Sequence, residues 1–383
     1  MAQRVLIPVE GSRTGLLYFQ ATQRLGLHPI ALSADPGQYD HLAADSIEAI
    51  RVDTDDLDAL IAECSRLRAT YDIAGIACAK ETVYAMVAKL CRYFDLAGPN
   101  STSIERCCDT FTQRQLLAEA GVPGPSYRLA TNAADLESHA AGIGLSVILK
   151  PVVGVGSSGI RLCRNVVGRP HDLSVGREAH MAIVWQSWLR ILVEEFAQGP
   201  YHGAEIMGNE VIGIVAAEFG LPPYFVFREF TFPALLWDDE HKRIADLSLS
   251  CLRTLGLGWE PTCIEFRRTK HGPVVIEINP RLADTPDPQL VQLAYRIDLI
   301  TEHIKLVIGE EWDLRRRHSQ IAAARIFLIA MAPSIGSTAI IGRLLYQTSP
   351  RLNSILGPIR RSSGRAITGT GSHMLSPPHP AVL

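Results

Sequence analysis

The stretch at residues 274–282, VVIEINPRL, carries Glu277, Asn279 and Arg281 at every second position of what reads as a β-strand. Successive strand residues point to opposite faces, so these three side chains share one. Just upstream, residues 263–267 (CIEFR) form a second strand pattern, and residues 269–273 (TKHGP) hold the Gly/Pro chemistry of a turn. Together they predict a β-hairpin. Folded about His271, it pairs Glu265 with Glu277, Cys263 with Asn279, Ile264 with Ile278 and Phe266 with Ile276. Carboxylates directly opposed on one sheet face repel. A hard divalent cation between them removes the repulsion, because Mg²⁺ takes oxygen ligands from one or two carboxylates together with substrate phosphates. Glu265, Glu277 and Asn279 are therefore the candidate metal ligands. Arg281, about 7 Å further along the strand, is the candidate phosphate contact. The alternative is a solvent-facing hairpin on which acids and bases merely alternate.

A metal that clamps phosphate implies a nucleotide site. Residues 147–160, VILKPVVGVGSSGI, read as an apolar strand ending at Lys150, then a loop with Gly154, Gly156 and Gly159 around Ser157 and Ser158. Glycines let backbone N–H groups approach a phosphate chain, and the hydroxyls add donors. No Gly-Lys-Ser/Thr follows, and residues 160–163 read as a returning strand rather than a helix, so neither a Walker loop nor a dinucleotide fingerprint is present. Taken alone, the loop is also an ordinary hairpin connection. Residues 191–199, ILVEEFAQG, form a strand running into a Gly-terminated bend, with Glu205 shortly after. Extended backbone at Glu194, Glu195, Phe196 and Ala197 suits the edge of an adenine ring. Solvated glutamates at a strand end are the alternative.

In this order and spacing, Lys-Pro with a Gly/Ser loop, Val-Glu-Glu-Phe before a Gly, and a Glu opposite Glu-x-Asn-Pro-Arg resemble the ATP-grasp superfamily of carboxylate–amine ligases. The resemblance runs from about residue 4 to about residue 345. It implies ATP and Mg²⁺, with Mn²⁺ as a substitute, and a nucleotide held between two α+β subdomains. Lys150 would contact the α- and β-phosphates, and Gly154, Gly156, Ser157, Ser158 and Gly159 would cover the phosphate chain. Glu194 to Ala197 would form the hinge facing adenine, with Glu205 beside the nucleotide. Glu265, Glu277 and Asn279 would bind metal, and Arg281 would act on the developing acyl phosphate. Glu81 matches a position where relatives carry an acid near the substrate; Arg228, among Phe225, Phe227 and Phe230, is either a substrate carboxylate contact or the partner of Glu229 or another acid. Residues 282–299 look most like the amino-acid ligases that make dipeptides. The implied partners are small carboxylate and amine substrates, amino acids first, in a homodimer. A carboxylase-type enzyme on the same frame, or a nucleotide-binding regulator without turnover, are the alternatives. Three positions depart from the pattern: Thr110 stands where a lysine is usual, Tyr201 where a ribose-binding acid is common, and Ala283 where a glycine is usual. They predict weaker use of ATP.

The elements that position these residues follow a readable rhythm. Strand patterns at residues 4–8, 29–33 and 73–77, with helices at 15–25 and 83–94, predict a small doubly wound domain. A helix at 110–120, closed by GVPGP, leads into a lid. The expected fold class is thus α/β and α+β, an ATP-grasp fold. Its expected parts are an N-terminal domain over residues 1–105, a linker helix and lid over 106–193, a C-terminal metal-binding subdomain over 194–320, strands packed on the core over 321–360 and a mobile tail over 361–383. A chain of 383 residues exceeds one compact core. A formal net charge of −3 gives no footprint for nucleic acid. The most apolar late run, residues 326–341, is broken by Pro333 and Gly336 and is too short to span a bilayer. Eight cysteines without Cys-x-x-Cys spacing, and no signal peptide, point to a reducing cytoplasm.

Overall fold

Val5, Ile7 and Val9 on one face, and Leu6 on the other, are wholly buried because β1 (Arg4–Val9) is an inner strand of a sheet covered on both sides. The computed structural model describes residues 2–10, 15–39, 42, 47–78, 80–153, 159–164, 190–220, 225–330 and 340–349. The first sheet adds β2 (His28–Ser33), β3 (Glu48–Arg51) and β4 (Asp72–Cys78), in the order β3-β2-β1-β4 with parallel neighbours. Around it lie α1 (Gly15–Arg24), α2 (Leu57–Arg68) and α3 (Glu81–Tyr93). This is the doubly wound arrangement that the β-α-β rhythm predicts. β3 is the strand the sequence hid: its four residues are mostly exposed and show no apolar alternation.

Two capped helices lead out of this unit. Asn100 accepts from Ser103 N at the start of α4 (Ser101–Cys108), and Asp109 accepts from Thr112 N at the start of α5 (Thr110–Glu119), the usual way to satisfy an orphan helix donor. A smaller sheet follows, built from β5 (Tyr127–Ala130), β6 (Val147–Pro151), β7 (Arg161–Cys163) and β8 (Ile191–Glu195), with α6 (Ala133–Ile143) between β5 and β6. Its order is β5-β8-β6-β7, and every neighbouring pair is antiparallel. Residues 154–158 of the glycine-rich loop lie outside the described residues, and Gly159 stands at φ +79° before β7.

The largest sheet comprises β9 (Tyr201–Met207), β10 (Glu210–Phe219), β11 (Phe227–Phe232), β12 (Thr262–Thr269), β13 (Gly272–Asn279), β14 (Ile321–Ala330) and β15 (Ile340–Ser349). The order is β13-β12-β9-β10-β11-β14-β15. Helices α7 (Asp238–Leu255), α8 (Asp287–Tyr295) and α9 (Leu299–Val307) complete it. Alternation sorts the strands β9, β12 and β13 by face. Ile206, Ile264, Phe266 and Ile278 join the core that also contains Val5 and Ile7, which welds this sheet to the first. Tyr201, Glu205, Cys263, Glu265 and Arg267 take the other face. Residues 331–339, between β14 and β15, and the tail at 351–383 lie outside the described residues. No helix among those described is long and apolar enough to cross a membrane, and all eight cysteines are free.

Candidate functional site

The hairpin of β12 and β13 sets Glu265 against Glu277, Cys263 against Asn279 and Ile264 against Ile278, as alternation predicts. Phe266 is a correction: it faces Val275, not Ile276. The turn is closed by Thr269 and Gly272, which puts the near half of the hairpin one residue out of step with a fold about His271. A bulge at Ile276 restores the step before Glu277. A bulged residue is released from the ladder, and the Ile276 carbonyl accepts from Lys150 Nζ at 3.2 Å and Arg114 Nη2 at 2.7 Å. Arg114 Nη1 donates to the neighbouring Val275 carbonyl at 2.7 Å.

Glu265 is half-buried, and Asn279 Nδ2 donates to its Oε1 at 3.3 Å. Burial, and then the charge of Glu277, push its carboxyl up to about 8, against the pull of Arg281 and Lys150. Two carboxylates that repel, with an amide beside them, are a set of hard oxygen donors that a cation would relieve. Among the described residues no three His, Cys, Asp or Glu side chains converge as a metal group. The donor set is thus two carboxylates and an amide, which fits Mg²⁺ with positions left for phosphate and water and does not fit a closed zinc site. Arg281 lies just past β13, half-buried. Its N–H donates to Asn279 O at 2.8 Å and its Nη1 to Leu282 O at 3.1 Å.

Glu205 was expected beside the nucleotide. It is buried instead beneath the turn that carries Arg281, where it accepts from the Ala283 N–H and meets Cys263 and Asp287. Burial pushes its carboxyl up to about 7, and burial and Glu205 together raise that of Asp287, so the facing acids hold protons that solvated carboxyls would lose.

Between the small sheet and this floor lies a cleft open to solvent. Lys150, Phe196, Ala197, Glu265 and Glu277 all line it. So do Glu194 and Glu195, but their carboxylates turn elsewhere. Glu194 Oε1 lies 2.7 Å from Arg114 Nε and its Oε2 lies 2.8 Å from Lys150 Nζ. Burial pushes the Glu194 carboxyl up, and the two cations more than offset this, leaving it below the usual range. Glu195 accepts from Ser126 Oγ at 3.0 Å. The segment after β8 therefore offers the cleft its backbone and apolar side chains rather than its charges.

Arg228 is exposed on β11 rather than buried among phenylalanines, and its neighbour Glu229 pairs with Arg325. Glu81 opens α3, with its side chain outside the described residues, as are Gly154, Gly156, Ser157 and Ser158. Sequence reasoning missed Arg114, Asp287 and Arg267. The last had a usable signal, since the alternation that aligned Cys263 with Glu265 puts Arg267 on the same face.

Residues 143–288 match the family model described as the ATP-grasp domain. The chain is 56% identical over 326 residues to the uncharacterized protein y4rH of Sinorhizobium fredii, covering 84% of this chain and 67% of that one. It is 26% identical over 245 residues to carnosine synthase 1 of Mus musculus, covering 58% of this chain but only 29% of that protein. Among solved structures, L-amino acid ligase from Bacillus licheniformis superimposes with a TM-score of 0.69 at 18% identity, covering 87% of this chain and 83% of that one. Biotin carboxylase from Campylobacter jejuni gives 0.67 at 17% identity, with 91% and 88% covered. At such identities the likeness is one of fold.

Proposed function

The chain belongs to the ATP-grasp family, and from that premise we propose that it is an ATP-dependent carboxylate–amine ligase acting on amino acids. The observation that carries this reading is the opposed pair Glu265 and Glu277, with Asn279 beside it, in one cleft with Lys150 and the backbone after β8. Glu265, Glu277 and Asn279 would hold Mg²⁺, which when bound supplies charge neutralisation for a phosphate chain. Lys150, fixed by Glu194 and the Ile276 carbonyl, holds its ammonium ready for the α- and β-phosphates. The substrate carboxylate attacks the γ-phosphorus of ATP, the bond to the bridging oxygen breaks, and ADP leaves with that electron pair. Arg281 offsets the charge on the acyl phosphate oxygens. The amine then attacks the acyl carbon, phosphate departs with the C–O electron pair, and loss of a proton leaves the amide.

Carnosine synthase 1 and L-amino acid ligase among the similar proteins favour amino-acid substrates. The fold shared with biotin carboxylase supports a carboxylating enzyme as the second reading. ADP release from MgATP, measured with amino acids singly and in pairs and with bicarbonate, tests both. Release that requires an acid and an amine together supports the ligase. Release with bicarbonate alone favours the second reading, and nucleotide binding without release under any condition points to a regulator.

A further inference from the structure

Arg267 stands on β12 two residues from Glu265, on the same face, and pairs in register with Tyr201 on β9. Its guanidinium carbon lies 4.8 Å from the centroid of the Phe219 ring and 5.7 Å from that of Tyr201. One of its N–H groups donates to Gly199 O at 3.0 Å. Phe227 backs Phe219 at 4.4 Å between centroids. A planar cation is thus held over a ring and tied at one edge to the bend after β8, and it lines the same cleft as Phe196 and Ala197.

An aliphatic side chain would close this aromatic wall without losing hydration. A guanidinium there is offset by the Gly199 carbonyl and by π faces it can stack on. Position along the strand decides which part of a ligand it meets. Cys263 and Asn279 mark the end of the hairpin where Arg281 follows, and Arg267 lies four residues away, about 13 Å. It is therefore at the end where the backbone after β8 enters, not at the Arg281 end.

We propose that Arg267 is the platform on which the base of a purine nucleotide stacks, so that base selectivity depends on it while the hold on the phosphate chain does not. This rests on the nucleotide reading of the cleft given above.

Calorimetry of the full chain in Mg²⁺ with ATP, ADP, CTP and tripolyphosphate tests it, with R267M keeping the volume and R267K keeping the charge. In R267M, ATP and ADP weaken by the same factor, roughly two- to thirtyfold, the preference for ATP over CTP narrows, and tripolyphosphate binds as it does to the parent. R267K falls between. Tripolyphosphate weakened together with ATP would make Arg267 a phosphate contact and overturn the proposal, as would ATP affinity unchanged in a folded R267M. If R267M does not fold, parent-like ATP and ADP affinity in R267K overturns it. A parent that binds no ATP overturns the nucleotide reading itself, and the stacking role with it.

Discussion

Lys150 and Glu194 lie on neighbouring antiparallel strands with Nζ and Oε2 2.8 Å apart, and Arg114 Nε meets the second carboxylate oxygen at 2.7 Å. All three are buried, at 6%, 3% and 2% exposure for Lys150, Glu194 and Arg114. Two cations on one carboxylate leave a surplus positive charge. The carbonyls of Val275 and Ile276 share that surplus, and Lys150 carries it to the cleft.

The two cations should separate on mutation. Lys150→Ala removes the charge that lines the cleft but leaves Glu194 paired with Arg114, so ATP affinity should fall about tenfold or more while stability drops by only ~1–3 kcal/mol. Arg114→Ala takes one partner from Glu194 and the donors from two carbonyls, which should cost about 3–5 kcal/mol. Urea unfolding and ATP calorimetry check both. Parent-like ATP affinity in Lys150→Ala would show that the lysine is structural.

Much of this site was legible from alternation alone, and the remainder was not for identifiable reasons. A period of two puts Glu277 and Asn279 on one face of their strand and Glu265 and Arg267 on one face of theirs, and that much follows from alternation. The bulge at Ile276 does not, because that residue looks no different from Ile278; its carbonyl is wanted by Lys150 and Arg114, more than a hundred residues away in sequence. Glu205 was misread for a similar reason. Its neighbours Asp287 and Ala283 come from the far side of the hairpin, so only the closed fold reveals that its carboxyl is capped rather than open. Arg114 sat unnoticed in a short helix because nothing nearby in the chain marks a buried guanidinium.

Glu265 keeps its proton up to about 8 in the folded chain, because burial and Glu277 disfavour its charged form. An unfolded glutamate loses it near ~4.3. Between those values the folded state binds more protons than the unfolded one, so this contribution to stability falls as pH rises. Glu277→Gln removes the facing charge and should make the metal-free protein more stable than the parent at pH 8, with little difference at pH 5. Mg²⁺-dependent ADP formation should be lost. Urea unfolding at both pH values gives the comparison. A solvent-facing hairpin would show changes within about 0–1 kcal/mol at each pH and unchanged turnover.

Tyr18 on α1 and His303 on α9 share a buried hydrogen bond of 2.6 Å, and burial holds His303 down at about 4. An unfolded histidine takes its proton near ~6.5. Stability from the neutral imidazole is therefore lost as pH falls from there toward the folded value, by roughly 1.4 kcal/mol per pH unit. His303→Gln cannot titrate. Its deficit relative to the parent should be largest near neutrality and shrink on acidification. A deficit constant from pH 7 to pH 4.5 in urea unfolding would show that His303 titrates alike in both states.

Arg281 is the residue for which binding and chemistry should come apart most clearly. Its N–H is tied to Asn279 O at 2.8 Å, so it follows the last proposed metal ligand, and Glu205 holds the next turn through the Ala283 N–H. The backbone thus sets the guanidinium relative to Asn279. Arg281→Lys keeps the charge but loses the planar fork that grips a phosphoryl group at two points. Charge that develops only on transfer is where such a grip matters, and removing a comparable donor typically lowers turnover about 10²–10³-fold. ATP in the ground state is held by several other groups, so its affinity should change by less than about threefold. Single-turnover ADP formation beside equilibrium ATP binding separates the two quantities. Loss of ATP affinity in parallel with turnover would make Arg281 a ground-state anchor, and parent-like turnover would remove it from the chemistry altogether.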